Sequence, residues 1–162
     1  MSVRTWKLGG EKEREPLRYP DCGLDDVYLV SGYEKVKTPY GDGISVKNLD
    51  GLHKAIGCYL AKEKKVLNGK ELRFLRKQMD LTQSELGALV GLSYQQVARW
   101  EKEVCPIPPA AETILRVLFI EDVGGAIKVR ALLGSLEERD APLNESTVFA
   151  KTPRGWEKQK AA

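Results

Sequence analysis

Four polar side chains between positions 94 and 99 have the types and spacing that could read a nucleic-acid base. If this stretch is helical, they point outward from one helix. A carboxamide suits the edge of adenine in a major groove, and a guanidinium suits guanine. The spacing therefore predicts base recognition by Tyr94, Gln95, Gln96 and Arg99.

A second set of side chains suits phosphate. Gln83 would lie at the start of the preceding helix, where its side chain and free backbone N–H groups could meet an anion. The formal net charge is only +3. Residues 62–77 nevertheless hold seven Lys or Arg and two Asp or Glu. So modest an overall excess favours a dimer at a particular site over a general coating protein. The expected phosphate contacts are Gln83, Lys70, Arg73, Lys77 and Lys102.

Two short helices are needed to position these groups. Thr82 and Glu85 make a Thr-x-x-Glu capping box, and Gly91 can take the left-handed conformation that ends a helix. Ser93 would cap the next helix, whose Val97 and Trp100 face inward. Two short helices joined by a glycine-containing turn have helix-turn-helix geometry.

The stretch from Leu81 to Glu101 resembles the DNA-binding domain of phage-repressor or Cro-like regulators, the XRE family. Its Thr-Gln-x-Glu-Leu, Gly-x-Ser and Trp-Glu elements carry the resemblance, which covers about residues 69–122. The resemblance implies a sequence-specific transcriptional regulator, a repressor, bound as a homodimer to a palindromic operator in double-stranded DNA. It also implies a structural pair between Arg76 and Glu101, whereas Gly87 stands where the family usually has alanine.

The predicted fold class is α+β. A small antiparallel β-meander from residues 27–30, 33–38 and 44–46 would be covered by a helix over 50–63, and an all-α five-helix repressor-like domain would follow. The expected organisation is a flexible arm at 1–18, the β-meander and helix module at 19–66, the helix-turn-helix domain at 67–140 and a polar tail at 141–162. For the dimer contact we expect Leu118, Phe119, Leu132, Leu133 and Leu136.

The amino-terminal module leaves an alternative open. A small sheet, a helix and then a repressor-like domain resemble MqsA-type antitoxins, whose amino-terminal module binds zinc, and Asp21-Cys22-Gly23 adds to this. The resemblance implies that the module could bind a toxin protein. A structural zinc site usually needs two cysteine pairs, and Cys22 stands alone, with only Asp50 and His53 where a second pair would fall. We therefore expect no metal, with packing in place of the ligands.

Catalysis, secretion and membrane insertion are not expected. Three separated cysteines do not form a disulfide framework, no apolar run approaches the ~18 residues of a membrane span, and the start has no signal-peptide apolar region, which favours the cytoplasm. His53, the single histidine, is expected to be partly buried and hydrogen-bonded. No spacing pairs it with Cys22 or Cys105, so neither an enzyme nor a cofactor is predicted.

Overall fold

The computed structural model describes residues 15–126, 128–137 and 146–159, which form two compact units. The β unit comprises described residues 15–55 and 146–159, and the helical unit comprises 56–126 and 128–137. Most of the arm expected at 1–18 lies outside the described residues, but its end, Leu17–Arg18, is a strand.

Six strands form two sheets, all within the β unit. The strands are β1 (Leu17–Arg18), β2 (Val27–Leu29), β3 (Tyr33–Thr38), β4 (Gly41–Val46), β5 (Thr147–Thr152) and β6 (Gly155–Gln159). One sheet has the order β1-β2-β5-β6, in which β2 and β5 are parallel and the other pairs antiparallel. The other sheet is the antiparallel hairpin of β3 and β4.

The strand pairing differs from the predicted meander. β3 and β4 pair as expected, but β2 lies in the other sheet, between β1 and β5. The cause is burial, because Val27 and Leu29 are buried whereas nearly every residue of β3 is exposed. An apolar strand gains more free energy in the interior of a sheet than beside an exposed hairpin.

The carboxy-terminal segment is not the polar tail that we expected. Residues 147–159 form β5 and β6, and Phe149 is completely buried. The indole Nε1 of Trp156 donates hydrogen bonds to the carbonyls of Lys47 and Asn48, at 3.1 and 3.0 Å. A few apolar residues in a polar segment are therefore enough to complete the sheet.

Six helices account for most of the other described residues. They are α1 (Leu49–Lys62), α2 (Gly69–Gln78), α3 (Gln83–Val90), α4 (Tyr94–Glu101), α5 (Pro109–Asp122) and α6 (Val129–Glu137). The boundary between the two units falls within α1, between Ala55 and Ile56. The α+β fold class is confirmed. None of the helices in the described part of the chain is long and apolar enough to cross a membrane.

A buried arginine organises the helical unit. The side chain of Arg116 on α5 is 1% exposed and pairs with Glu112 one turn earlier. Its guanidinium also donates hydrogen bonds to the carbonyls of Leu60, Ala61 and Lys65, at 2.8, 3.3 and 3.0 Å. Arg116 therefore satisfies carbonyl groups at the end of α1 that the helix itself leaves unpaired.

The expected dimer contact is partly wrong, because two of its residues are internal. The Phe119 ring packs against Gly57, where a Cβ atom would lie only 2.2 Å from Phe119 Cζ. Leu132 is also buried, Leu118 and Leu136 are half-buried, and the side chain of Leu133 lies outside the described part. The apolar residue that α5 exposes is instead Ile114.

Candidate nucleic-acid interface

The boundaries of α3 and α4 are set by side-chain caps at the predicted residues. The hydroxyl of Thr82 accepts from the Glu85 amide at 3.1 Å, and the Glu85 carboxylate accepts from the Thr82 amide at 2.7 Å. Hydrogen bonding of the Glu85 carboxylate to the backbone and the side chain of Thr82 lowers the pKa of Glu85. Gly91 ends α3 with a φ of 73°, and the hydroxyl of Ser93 accepts from the Gln96 amide at 3.4 Å.

Gly87 allows the turn to approach α3 closely. A Cβ atom there would lie 2.6 Å from the carbonyl oxygen of Leu92, which is backbone and cannot easily move. The Leu92 amide in turn donates to the Gly87 carbonyl at 2.8 Å. The departure from the usual alanine therefore has a packing reason, which offsets a helix-propensity cost of about 1 kcal/mol.

The outer face of α4 carries the predicted base-reading groups. Gln95 and Arg99 are exposed, and Tyr94 is 53% exposed, whereas Val97 and Trp100 are buried on the inner side. This polar outer face and apolar inner face leave one side of α4 open to a groove.

Gln96 differs from the other three predicted readers. Its side chain is half-buried, and its Nε2 donates to the Cys105 sulfur at 3.4 Å. The spacing of residues on α4 contains no signal for this contact, because Cys105 lies beyond the end of the helix.

Two apolar side chains beside α4 are exposed. Leu92, in the turn before α4, is 44% exposed, and Leu89 on α3 is 52% exposed. Leu89 lies three residues after the buried Leu86, so helical spacing places both on nearly the same face of α3. Periodicity alone therefore does not predict that Leu86 is buried and Leu89 exposed.

Three of the predicted phosphate-binding residues lie along α2. Lys70, Arg73 and Lys77 are exposed and are spaced by three and four residues, which places them on one side of the helix. Lys102, directly after α4, is also exposed. Gln83 is different, since its Nε2 donates to a carboxylate oxygen of Glu101 at 2.9 Å.

Arg76 and Glu101 form a two-pronged ion pair between α2 and α4. Arg76 Nε lies 2.6 Å from Glu101 Oε1, and Arg76 Nη2 lies 3.1 Å from Glu101 Oε2. Arg76 Nη1 also donates to the Leu81 carbonyl at 2.7 Å. Both side chains are almost completely buried, so Arg76 holds α2, the Leu81 turn and α4 together and does not face solvent.

Three of the residues considered for metal binding or catalysis, Cys22, Asp50 and His53, lie in the β unit, whereas Cys105 lies in the helical unit. The His53 ring is 6.5 Å from the Tyr19 ring, and burial lowers the pKa of His53 while raising that of Tyr19 to about 12. The Cys22 thiol donates to the Tyr19 carbonyl at 3.3 Å, and burial raises its pKa. A raised thiol pKa disfavours the thiolate that a nucleophile requires. The described residues contain no group of three side chains placed to hold a metal ion.

Residues 72–121, which run from α2 into α5, match a family model described as helix-turn-helix. This segment is therefore similar to helix-turn-helix domains of the XRE type. The match supports a DNA-binding regulator for this domain.

The helix-turn-helix match does not extend to the β unit. It ends at residue 121, and a likeness to MqsA-type antitoxins is not shown. Searches of the curated proteins and of the solved structures each found no match.

Proposed function

We propose that the protein is a sequence-specific transcriptional repressor that places α4 in the major groove of double-stranded DNA. The observation that carries the proposal is the outer face of α4, where Tyr94, Gln95 and Arg99 are exposed on a helix whose inner face is buried. Amide and guanidinium groups on such a face can contact the edges of adenine and guanine. The helix-turn-helix match, which includes α4, also supports DNA binding.

Phosphate contacts would come from α2, from α3 and from the residue after α4. Lys70, Arg73 and Lys77 offer positive charge along one side of α2, and Lys102 offers it beyond α4. The first two amides of α3 have no carbonyl one turn earlier to bind, so they suit an anion, whereas the Glu85 amide is capped by the Thr82 hydroxyl. Because Glu101 holds its side chain, we assign Gln83 a contact through its backbone amide.

A homodimer on a palindromic operator completes the proposal. One such domain covers few base pairs, and two copies can contact half-sites about one turn (~34 Å) apart. The outer side of α5 supports a contact between copies, because Ile114 is exposed and Val117 and Leu118 are half-buried. We include no cofactor and no catalytic step.

The test is selection of bound duplexes from a random pool, followed by affinity measurements with variants. Gln95→Ala and Arg99→Ala should each cost about 1–3 kcal/mol on the selected site and relax the preference at particular base pairs. Lys77→Ala should weaken binding to every sequence and reduce the salt slope by about 1. Arg154→Ala, at an exposed residue of the β unit, is the matched control and should change neither. Failure of the unaltered protein to select any sequence contradicts the proposal.

A second candidate function, an antitoxin, is favoured by the β unit. The helix-turn-helix match includes no residue of this unit. The β3–β4 hairpin of the unit carries Tyr40, whose side chain is completely exposed. Such a hairpin could bind a toxin protein while the helix-turn-helix domain represses the operon. Deleting the gene of this protein while leaving the neighbouring toxin gene of the operon should then arrest growth. Deleting both genes should restore growth. Neutral growth after the first deletion contradicts the antitoxin function.

A further inference from the structure

Gln96 is held by the residues around it, unlike the other predicted readers on α4. Its backbone amide donates to the Ser93 hydroxyl, and its side-chain Nε2 donates to the Cys105 sulfur at 3.4 Å. A thiol sulfur is a weak acceptor, but the half-buried position of both residues shields the contact from water. The contact therefore restrains the Gln96 side chain before any DNA is bound.

Cys105 is itself fixed by the segment between α4 and α5. Glu103 adopts a φ of 58°, which turns the chain sharply after α4. The Glu103 carboxylate accepts from the Gly69 amide at 3.0 Å, and the Val104 amide donates to the Arg99 carbonyl at 3.0 Å. The residues preceding Cys105 are thus tied to the start of α2 and to α4.

The close packing of Gly69 makes this support stiff. A Cβ atom on Gly69 would lie 2.5 Å from the Trp100 carbonyl oxygen and 2.6 Å from that of Glu101. The start of α2 and the end of α4 therefore touch through backbone atoms, which cannot rotate away as a side chain can.

We propose that Cys105 is a positioning residue for base recognition, acting through Gln96. The inference rests on the proposed function. A carboxamide discriminates between base edges only when its donor and its acceptor are held in place beside one edge. The contact with the sulfur restrains the Gln96 side chain and leaves one N–H and the carbonyl oxygen for a base pair. Without the sulfur, the side chain samples other rotamers and discrimination at that base pair falls.

The first measurement needs no DNA. Exchange of the Gln96 side-chain amide protons with water is followed by NMR in the full chain. Cys105→Ala should speed this exchange about fivefold, because one hydrogen bond is lost. Cys105→Ser keeps an acceptor at the same place and should remain near the unaltered rate. Cys58→Ala, which removes another half-buried cysteine of the helical unit, is the control and should change nothing.

The second measurement uses the duplex selected by the unaltered protein and its single-base-pair variants. Cys105→Ala should lower discrimination about fivefold at one base pair in each half-site and leave the salt slope unchanged. Cys105→Ser should restore most of it. Gln96→Ala should lose discrimination at the same base pair, and adding Cys105→Ala to Gln96→Ala should have no further effect.

The outcomes separate the inference from the proposed function. Unchanged discrimination in Cys105→Ala, or an equal loss on the Gln96→Ala background, overturns the positioning role while DNA binding stands. If the unaltered protein selects no sequence, the proposed function fails and the role in recognition fails with it. The exchange rates still decide whether the sulfur holds the amide. Should Cys105→Ala not fold, as judged by its thermal unfolding, Cys105→Val carries both measurements.

Discussion

The β unit and the helical unit are assembled by different kinds of contact. In the helical unit, α3 and α4 are neighbours both in the chain and in space, with residues 91–93 between them. In the β unit, β2 pairs in parallel with β5, so that Val27 lies opposite Thr147. The hydroxyl of Ser31 likewise bonds the carbonyl of Lys151, 120 residues further on. Local contacts leave a pattern in the sequence, whereas pairing between distant segments leaves none.

The two units also differ in what their cores contain. Both units bury apolar side chains, such as Phe149 in the β unit and Phe119 in the helical unit, but the helical unit also buries the guanidinium groups of Arg76 and Arg116. Apolar burial is non-directional, but a buried guanidinium must find acceptors in fixed places. The following changes test whether the two units are stabilised independently and by these different means.

The largest effect is expected from Phe149→Ala in β5. Truncating a completely buried phenylalanine should cost the β unit about 4 kcal/mol. In protein labelled with fluorotryptophan, the fluorine resonance of Trp156 should then report unfolding at lower denaturant concentration than that of Trp100. The control is Glu157→Ala, at an exposed residue of β6. If the midpoints reported by Trp156 and Trp100 decrease equally, the two units unfold as one and are not stabilised independently.

Arg116→Ala should destabilise the helical unit by about 3 kcal/mol. The change leaves the half-buried carboxylate of Glu112 without its ion pair and the carbonyls at the end of α1 without a donor. The resonance of Trp100 should move to lower denaturant concentration, and that of Trp156 should move less. Arg73→Ala, which removes an exposed arginine from the same unit, should leave both midpoints nearly unchanged. A wild-type midpoint in Arg116→Ala would refute the role of the buried guanidinium.

A smaller effect is expected from Thr82→Ala, which removes the cap of α3. Loss of the hydroxyl that accepts from the Glu85 amide should cost about 1 kcal/mol. Denaturant unfolding followed at Trp100 measures the loss. Ser84→Ala, at an exposed residue two positions after Thr82, should cost much less. If the two substitutions have equal effects, the capping box does not stabilise the helical unit.

The smallest effect concerns His53 and the pH dependence of the β unit. Burial lowers the pKa of His53, while Asp50 opposes the shift, so the unfolded chain binds a proton more readily than the folded chain. The folded state therefore has its full stability above the ordinary histidine pKa of about 6.5 and loses it as the pH falls below that value. Thermal unfolding at pH 7 and pH 5 should show a larger decrease for the unaltered protein than for His53→Gln. Equal decreases would show that His53 does not contribute.

The sequence predicted those features that lie within one or two helical turns of each other. The Thr82–Glu85 box, the left-handed Gly91 and the Ser93 cap all connect residues no more than four positions apart. Arg76 and Glu101 are more distant in the chain, and their pairing was implied only by the family resemblance. The polar outer face of α4 followed from helical spacing alone.

The features that the sequence did not indicate all join separate elements. The segment that was predicted to be a polar tail forms two strands. Phe149 lies opposite Leu29 in the sheet, and the Trp156 indole donates to the Lys47 carbonyl. Gln83, predicted to be available to phosphate, bonds Glu101, and Gln96, predicted to read a base, bonds Cys105. No spacing rule could separate these held side chains from the exposed ones beside them.

The helix-turn-helix and its polar outer face were therefore predictable from the sequence, because caps, turns and helical periodicity act within a few residues. The strand pairing of the β unit and the contacts that hold Gln83 and Gln96 became visible only in the folded structure. Pairing distant segments depends on the folding of the whole chain, so neither the partner of a strand nor the acceptor of an amide can be inferred from its neighbours in the sequence.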